Sequence, residues 1–304
     1  MATATATATA PRIDAPARGR AGFSGAMRSE FTKIRSVRST YWTLLALVGA
    51  CVGIGALFSW GQTTRLSSLR SGLTVGGRAL THAQSAALIA QRVAQIKANA
   101  VSISLFGLLI GQLIIVVLGA LVITSEYSTG MIRTSLASMP RRGTVFAAKG
   151  VVFGLVALVV GLVTTFLAFF IGQAILSTQN VGVSLSAPNA LRSVIGGGLF
   201  LAVTGLLSFG LGAVLRHTAG AISSGIGLMF VLMILTNFLP SPPSGWLGQA
   251  DIDKWIPFYA GAHIWQTQLV GVNPFSPWVG FAVFCGYAAV AIIGGLAMFL
   301  RRDA

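Results

Sequence analysis

Charged side chains are scarce in this sequence. Only 9% of its 304 residues are Asp, Glu, Lys or Arg, and 54% are hydrophobic, whereas an average soluble protein carries roughly 25% charged residues. The few charges are bunched into short intervals, which leaves charge-free runs longer than the roughly 20 residues that a helix needs to cross a bilayer. This scarcity excludes an ordinary soluble domain and indicates an integral membrane protein that crosses the bilayer repeatedly.

Acidic residues and cysteines are rarer still. Six acidic residues stand against 21 lysines and arginines, for a net charge of +15. The basic residues do not alternate with aromatic residues along a stripe, which argues against a nucleic-acid surface. Cys51 and Cys285 both fall within apolar runs, a placement that favours neither a disulfide framework nor a cysteine-rich metal site.

Motifs for energy conversion and catalysis are also missing. A phosphate-binding loop needs glycine-rich backbone followed by Lys and then Ser or Thr, and none of the four lysines is followed by either residue. The apolar runs offer only Gln112 and Gln173 as large polar groups at depth, so a proton or ion relay has little to work with. No nucleophile and base pair can be named. We therefore expect no enzyme activity, and a driving force that comes from another polypeptide.

A metal site is not expected either. His82, His217 and His263 lie far apart in the sequence and show no HExxH arrangement. The one constellation worth weighing combines Asp251, Asp253 and His263, which offer oxygen and nitrogen ligands. Acids in an exposed turn and an interfacial histidine explain the same residues, so we expect no bound metal.

Six apolar runs predict an all-α integral membrane protein with six spans. The spans are expected at about 41–60, 99–124, 145–176, 193–215, 219–239 and 278–300, within a transmembrane domain of residues 41–304 that follows a disordered tail of residues 1–25. An even number of spans places both termini on one side, which carries 14 lysines and arginines against 7 on the other. The positive-inside rule therefore predicts cytoplasmic termini.

An amphipathic interfacial helix is predicted for residues 26–40, directly before the first span. Its apolar stripe recurs every three or four residues and consists of Met27, Phe31, Ile34 and Val37. Glu30 interrupts the stripe, and pairing with Lys33 at the i, i+3 spacing would accommodate it. The alternative interpretation is that these residues are only the basic flank of the first span.

Two segments are expected on the outer side of the membrane. The loop of residues 61–98 has five basic residues and no acid. Its Ala-rich second half is predicted to continue the second span outward as a helix, and Arg65, Arg70 and Arg78 would attract an anionic substrate or lipid head groups. The apolar segment at about 240–277 is interrupted by prolines and punctuated by tryptophans, which favours short interfacial helices or a re-entrant segment.

The stretch EYSTGMIRTSLASMPRRG, residues 126–143, lies between the second and third spans and combines one acid with three arginines. We expect a helix at about 129–140 whose apolar face consists of Ile132, Leu136 and Met139 and whose end is Pro140. A helix this short is marginal in water, so it must dock on something. Two interpretations of Glu126 stay open: a solvated acid paired with a loop arginine, or a polar anchor that orients the docking helix.

Three pieces of the chain resemble the permease subunits of bacterial ABC-2 type transporters. They are SEFTKIRSVRSTYWTLL before the first span, EYSTGMIRTSLASMPRRGTVFAAK between the second and third, and LRRDA at the end, and the resemblance covers about residues 28–304. It implies a six-helix ABC-2 type transmembrane domain with an N-terminal amphipathic connecting helix, a cytoplasmic coupling helix after the second span and short outer helices before the last span.

The resemblance also implies partners. Such permeases pair with a second permease, either another copy or a homologue, and with two copies of an ABC ATPase subunit. ATP and magnesium bind to the ATPase, and this chain would bind no cofactor of its own. By this similarity, the residues that contact the ATPase would be Glu126, Ile132, Arg133, Leu136, Met139, Arg141 and Arg142.

The expected role is that of a permease in the bacterial cytoplasmic membrane, in contact with membrane lipids. By the resemblance it would form the substrate pathway for export of a drug, an antibiotic, a lipid or a similar amphipathic molecule. An ATP-independent carrier or channel is the alternative, which the missing intramembrane charges disfavour. A membrane-embedded enzyme is a third interpretation, for which no catalytic pair can be named.

Overall fold

The apolar runs of the sequence form helices in the computed structural model, which describes residues 22–71, 74–75, 78–79, 82–130, 142–236, 238, 253–268 and 275–301. Six stretches are long and apolar enough to cross a membrane: Arg38–Ser71, Gln84–Ser128, Arg142–Ser177, Ala190–Leu215, Thr218–Thr236 and Pro277–Arg301. The prediction of an all-α membrane protein with six spans is therefore confirmed.

The elements follow one another along the chain with short connections. They are α1 (Phe23–Ser36), α2 (Arg38–Ser71), β1 (Thr74–Val75), β2 (Arg78–Ala79), α3 (His82–Ser104), α4 (Leu108–Ser128), α5 (Arg142–Ser177), α6 (Ala190–Leu215), α7 (Thr218–Ile226), α8 (Leu232–Thr236), α9 (Pro257–Ala262) and α10 (Pro277–Arg301). β1 and β2 form a two-residue antiparallel pair, which the sequence pattern does not predict. The end of the bundle that carries α1 is called the α1 end below, and the opposite end, which carries α9, is called the α9 end.

The N-terminal helix begins and ends earlier than predicted. α1 starts at Phe23, inside the predicted tail of residues 1–25, because burial of Ala26 against the bundle favours the helical turn before it. α1 ends at Ser36, and Val37 is extended before α2 begins at Arg38. The predicted helix of residues 26–40 is therefore two helices that meet at Val37. Residues 1–21 of the predicted tail lie outside the described residues.

Three helices are longer than a bilayer requires. α2 has 34 residues and α5 has 36, which is roughly 50 Å each at about 1.5 Å per residue, compared with a hydrocarbon core of about 30 Å. α3 extends α4 in the same way, so the predicted helical continuation of the second span is confirmed. The excess lengths pack on one another in a second, smaller core that consists of Leu66, Ile96, Ala100, Ile103, Leu176 and Val181.

α6 lies at the centre of the bundle and packs against α4, α5 and α10. Glycines allow this close approach: Gly119 of α4 lies against the Gly205 carbonyl of α6, and Gly161 of α5 lies against Gly198 of α6. A Cβ atom at Gly119 would collide with the facing backbone. Small residues at such crossings permit van der Waals packing between backbones inside a membrane.

The fifth span is interrupted by a π-helical turn. α7 ends at Ile226, Gly227–Val231 forms the π turn, and α8 follows. Such turns insert one extra residue into a helix and are frequent at functional sites. Val231, Ile234 and Leu235 are exposed, so this span presents an apolar surface at the perimeter of the chain.

Arg192, at the start of α6, holds the segment around α9 in place. Its guanidinium donates hydrogen bonds to the carbonyl oxygens of His263, Ile264 and Gln266 at 3.0, 2.9 and 3.0 Å. The Thr267 backbone N–H donates to the Ser102 hydroxyl of α3 at 2.9 Å. The described part of the predicted segment 240–277 is therefore packed into the α9 end, and most of residues 256–265 are buried.

Candidate functional site at the α1 end

Four ionisable side chains meet at the α1 end of the bundle. Lys149 Nζ of α5 donates hydrogen bonds to Glu30 Oε2 at 2.5 Å and to Glu126 Oε1 at 2.8 Å. Lys33 Nζ of α1 donates to Glu30 Oε1 at 2.8 Å and to Glu126 Oε1 at 3.2 Å. Each carboxylate contacts both ammonium groups, so the four side chains form a closed ring, which is called the ion cluster below.

Burial makes this pairing obligatory. Glu30, Lys149 and Glu126 are only 4%, 5% and 8% exposed, and an isolated charge at such depth costs several kcal/mol. Two carboxylates and two ammonium groups bring the formal charge of the ion cluster to zero. Loss of any one member would leave a buried, uncompensated charge, and that is far more costly than loss of an exposed ion pair.

The pKa values of the two α1 members show that attraction outweighs burial. Burial disfavours the charged form of Glu30, yet the two lysines, Lys149 foremost, hold the pKa of its carboxyl below the usual value. Burial also opposes the charge on Lys33, yet Glu30 and Glu126 raise the pKa of its ammonium group. Both groups are therefore charged at neutral pH, in agreement with an ionic ring.

The ion cluster joins three elements that are far apart in the sequence. Glu30 and Lys33 lie on α1, Glu126 lies near the end of α4, and Lys149 lies two turns into α5. The end of α4 and the start of α5 border residues 131–141 on either side. A displacement of that segment would therefore bear directly on two members of the ion cluster.

Glu30 is the residue that attaches α1 to the bundle, and the predicted apolar stripe is not. Ala26 and Glu30, one helical turn apart, are the buried residues of α1. Of the predicted stripe residues, Phe31 and Val37 are exposed, while Met27 and Ile34 are half-buried. The predicted Glu30–Lys33 pair is present. The sequence analysis missed Lys149, although a buried acid on a cation-rich chain signals a lysine or arginine partner elsewhere.

Glu126 is buried and bound to two lysines, Lys33 and Lys149, which is at odds with a solvated acid. Among the described residues, the helix that it anchors is α1. Thr129 and Gly130, expected to begin the connecting helix, instead end α4: Thr129 is the C-cap, its hydroxyl donates to the Ser125 carbonyl at 2.8 Å, and Gly130 has a left-handed φ of 68°. A glycine in this conformation is a common helix terminator.

Most of the predicted docking residues cannot be compared with the structure. Ile132, Arg133, Leu136, Met139, Pro140 and Arg141 lie outside the described residues. Arg142 is described, and it is the half-buried first residue of α5. The contacts predicted for these residues therefore stay predictions.

A groove beside the ion cluster lies between α1, the first turns of α2 and the last turns of α4. Its volume is about 440 Å³. The ion cluster lines one part of this elbow groove, and Leu118, Leu121 and Val122 line another. Hydroxyl-bearing residues complete the lining, namely Ser36, Ser39, Thr40, Thr43, Ser125 and Thr129. Such a combination suits an amphipathic molecule better than a purely ionic one.

The predicted basic residues of the outer loop do not form one site among the described side chains. Arg65 and Arg70 are both exposed on α2. The Arg70 guanidinium donates to Gln179 Oε1 at 2.6 Å and so links α2 to the connection that follows α5. Arg78 lies on β2, and its side chain is outside the described part of the chain.

The two large polar residues of the spans behave differently. Gln173 Nε2 donates to the Ala100 carbonyl and the Ser104 hydroxyl, both at 2.9 Å, and Gln173 Oε1 accepts from the Val183 N–H at 2.8 Å. Gln112 is fully buried, and its amide has no hydrogen-bond partner among the described residues. Gln173 is thus structural, and Gln112 is an unusual polar group inside α4.

Within the described residues, no three His, Cys, Asp or Glu side chains come close enough to hold a metal ion. His263 is buried in the α9 segment, which corrects the expectation of an interfacial histidine, because Arg192 holds that segment against α6. Asp253 is half-buried, and Asp251 lies outside the described residues.

One comparison with known proteins gives a match. A family model described as "ABC-2 family transporter protein" matches residues 28–304, which includes α1, the ion cluster and all six candidate spans. No significant match to a curated protein was found.

Proposed function

This chain belongs to the ABC-2 family of transporter proteins, and we propose that, as a permease, it exports an amphipathic molecule under the control of a separate ATPase subunit. A drug, an antibiotic or a lipid fits this class. The observation that carries the proposal is the position of the ion cluster, which joins both ends of the segment 131–141 to α1 at one end of a six-helix bundle.

The proposed coupling starts at the segment of residues 131–141. Two ATPase subunits, which would bind ATP and magnesium, dock on this segment of each of two paired permeases. Their closure shifts the end of α4 and the start of α5. Because Glu126 and Lys149 lie on those two ends and both contact α1 residues, α1 shifts with them. The partner drives this change only as far as it binds one arrangement more tightly than the other.

Residues of the segment itself would make the ATPase contact. We assign a docking face to Ile132, Leu136 and Met139, and polar contacts to Arg133, Arg141 and Arg142. Glu126 has a different role in this proposal: it passes the displacement to α1. The glycine-mediated crossings of α6 with α4 and α5 support movement of the spans as rigid units.

The elbow groove supports an amphipathic substrate. It combines an apolar wall from α4 with hydroxyl groups and a charge-balanced ion cluster, and it borders α1, which is the helix that the ATPase is proposed to displace. An apolar tail would pack on Leu118 and Leu121, and a polar group would replace water beside the ion cluster.

Both termini and the α1 end are proposed to lie on the cytoplasmic side of a bacterial cytoplasmic membrane. The Lys/Arg distribution supports this orientation, with 14 basic residues on the side of the termini and 7 on the other. α1 would then lie at the inner surface of the membrane as an amphipathic helix with its arginines toward lipid head groups.

Purification from native membranes tests the assignment. The tagged full chain should retain an ABC ATPase and a second permease, both identified by mass spectrometry, and ATP should drive accumulation of amphipathic dyes in inside-out vesicles. Dye movement without an ATPase in the preparation would favour an ATP-independent carrier or channel instead.

A further inference from the structure

A second groove at the α1 end lies between α1 and α5, on the other side of α1 from the elbow groove. Its volume is about 470 Å³. Met27, Arg28 and Phe31 of α1 line it together with residues of α5 that include Val152, Val156 and Val160. With one exception, every lining residue is apolar, so this groove is suited to hydrocarbon.

The exception is Arg28, which is the only charged residue of the lining. Arg28 is exposed, and no ion pair to it occurs among the described residues. The nearest acid along α1, Glu30, contacts Lys33 and Lys149, as Glu126 also does. An apolar groove that ends at an uncompensated guanidinium matches a molecule with a hydrocarbon tail and an anionic head.

The groove continues into an exposed apolar stripe on α5. Val151, Leu155, Val159 and Val163 follow one another at four-residue spacing, and all four are exposed. Residues at this spacing lie above one another on a single helix face. A hydrocarbon chain that starts beside Arg28 would therefore have a continuous apolar path along α5 into the bilayer.

A second copy of the chain is a poorer occupant. In a twofold interface the same patch faces itself, so two Arg28 side chains would approach each other. Arg35 and Arg38 are also exposed on this side of the chain, and the acids described at this end are already bound to lysines. Like charges that face each other across an interface are strongly unfavourable.

From these observations we propose that the α1–α5 groove binds an anionic phospholipid, with an acyl chain between α1 and α5 and the phosphate on Arg28. The bound lipid contacts both helices that the Glu30–Lys149 bond joins, so it stabilises the attachment of α1 to the bundle. Neither an ATPase partner nor transport is required, and the test below is independent of the proposed function.

Photolabelling locates the site in the full chain. Purified protein in nanodiscs that contain phosphatidylglycerol with a diazirine near the glycerol end of one acyl chain should be labelled within residues 27–31 and 152–160. Peptide mass spectrometry identifies the labelled residues. A phosphatidylcholine probe should label them much less. Equal labelling by both probes, or labelling confined to other helices, would overturn the proposal.

Two arginine variants separate this site from general attraction to a basic helix. Arg28→Gln should weaken phosphatidylglycerol retention, measured by native mass spectrometry, about fivefold. Arg35→Gln removes an exposed charge from the same helix but does not line the groove, and retention should stay near the wild-type level. An equal loss in both variants would contradict a specific site.

A groove-filling variant tests the apolar half. Val156→Trp should reduce labelling by the phosphatidylglycerol probe, and Leu155→Trp, one residue along α5, provides a milder version if the first variant does not fold. If either folded variant changes the oligomeric state and leaves lipid retention unaltered, a second copy occupies the groove and the lipid proposal is wrong.

Discussion

Lys149 Nζ lies 2.5 Å from Glu30 Oε2, although 119 positions separate the two residues in the chain. Both side chains are buried, and Glu126 and Lys33 complete the ring around them. This contact attaches an N-terminal helix outside the spans to the start of the third span. The predictions below begin with this contact and end at the opposite side of the bundle.

Removal of the Lys149 charge should destabilise the fold strongly. Lys149→Met leaves two buried carboxylates with one lysine, which costs about 3–5 kcal/mol, measurable by denaturant unfolding in mixed micelles. Lys97 is exposed on α3, so Lys97→Met serves as the control and should change stability by about 0.5 kcal/mol or less. In the double variant Glu30→Gln/Lys149→Met, the effects should not add, because the remaining Lys33–Glu126 pair is neutral. Strict additivity would argue against direct contact.

Loss of the Glu126 charge should uncouple ATP hydrolysis from transport. Glu126→Gln keeps the side-chain shape but weakens the link between α4 and α1, and we expect transport to fall about tenfold while hydrolysis by the copurified ATPase continues. Arg133→Gln should act similarly at the proposed ATPase contact. Ser128→Ala, on the exposed face of the same helix, is the control. Unchanged transport in both the Glu126 and Arg133 variants would refute the coupling assignment.

The contribution of Glu30 to stability should depend on pH. Because the pKa of Glu30 is lowered from 4.5, its stabilisation is fully present above that value and is lost as the pH falls through the lower native pKa. The raised pKa of Lys33 places its own loss above 10.5. The stability difference between wild type and Glu30→Gln should therefore be constant from pH 6 to 8 and shrink below about pH 4.5. A constant difference down to pH 3 would contradict the ionic contact.

Arg192 should be required as arginine. Its guanidinium donates to three carbonyl oxygens, a geometry that a lysine ammonium does not reproduce. Arg192→Lys should destabilise the α9 segment by about 2 kcal/mol and accelerate amide hydrogen exchange across residues 257–266. Arg65→Lys, at an exposed position on α2, should leave that exchange unchanged. Equal exchange in all three proteins would mean that Arg192 does not hold the segment.

The basic residues Arg65, Arg70 and Arg78 should act by charge. Replacement of all three by Gln would lower the apparent affinity for an anionic amphiphile, and the loss should be larger at low than at high ionic strength because salt screens exposed charges. Lys97→Gln removes one exposed charge from α3 and should have a smaller effect. No change in transport or in substrate range would remove this role for the loop.

Charge distribution alone was enough to predict the six spans, because a bilayer excludes charged side chains from any long membrane-crossing helix. The outward continuation of the second span was predictable from its Ala-rich composition, and α3 confirms it. The π turn at Gly227–Val231 was not, since one inserted residue barely changes the hydropathy of a span.

The ion cluster shows where sequence reasoning ends. The i, i+3 pair of Glu30 and Lys33 is a local relationship and was predicted. The Lys149 contact depends on how α1 and α5 pack, which no local pattern encodes. The burial of Glu126 follows from the same packing, and that is why a solvated acid was still a reasonable interpretation before the structure was known.

The spacing of Glu30 and Lys149 also sets an order of events during synthesis. Lys149 leaves the ribosome 119 residues after Glu30, a delay of roughly 6 to 24 s at bacterial and eukaryotic elongation rates of about 5–20 residues per second. During this delay, two complete spans are inserted while α1 has only Lys33 as a partner for its carboxylate. The helix that is made before every span therefore reaches its final position only after the third span has begun to form.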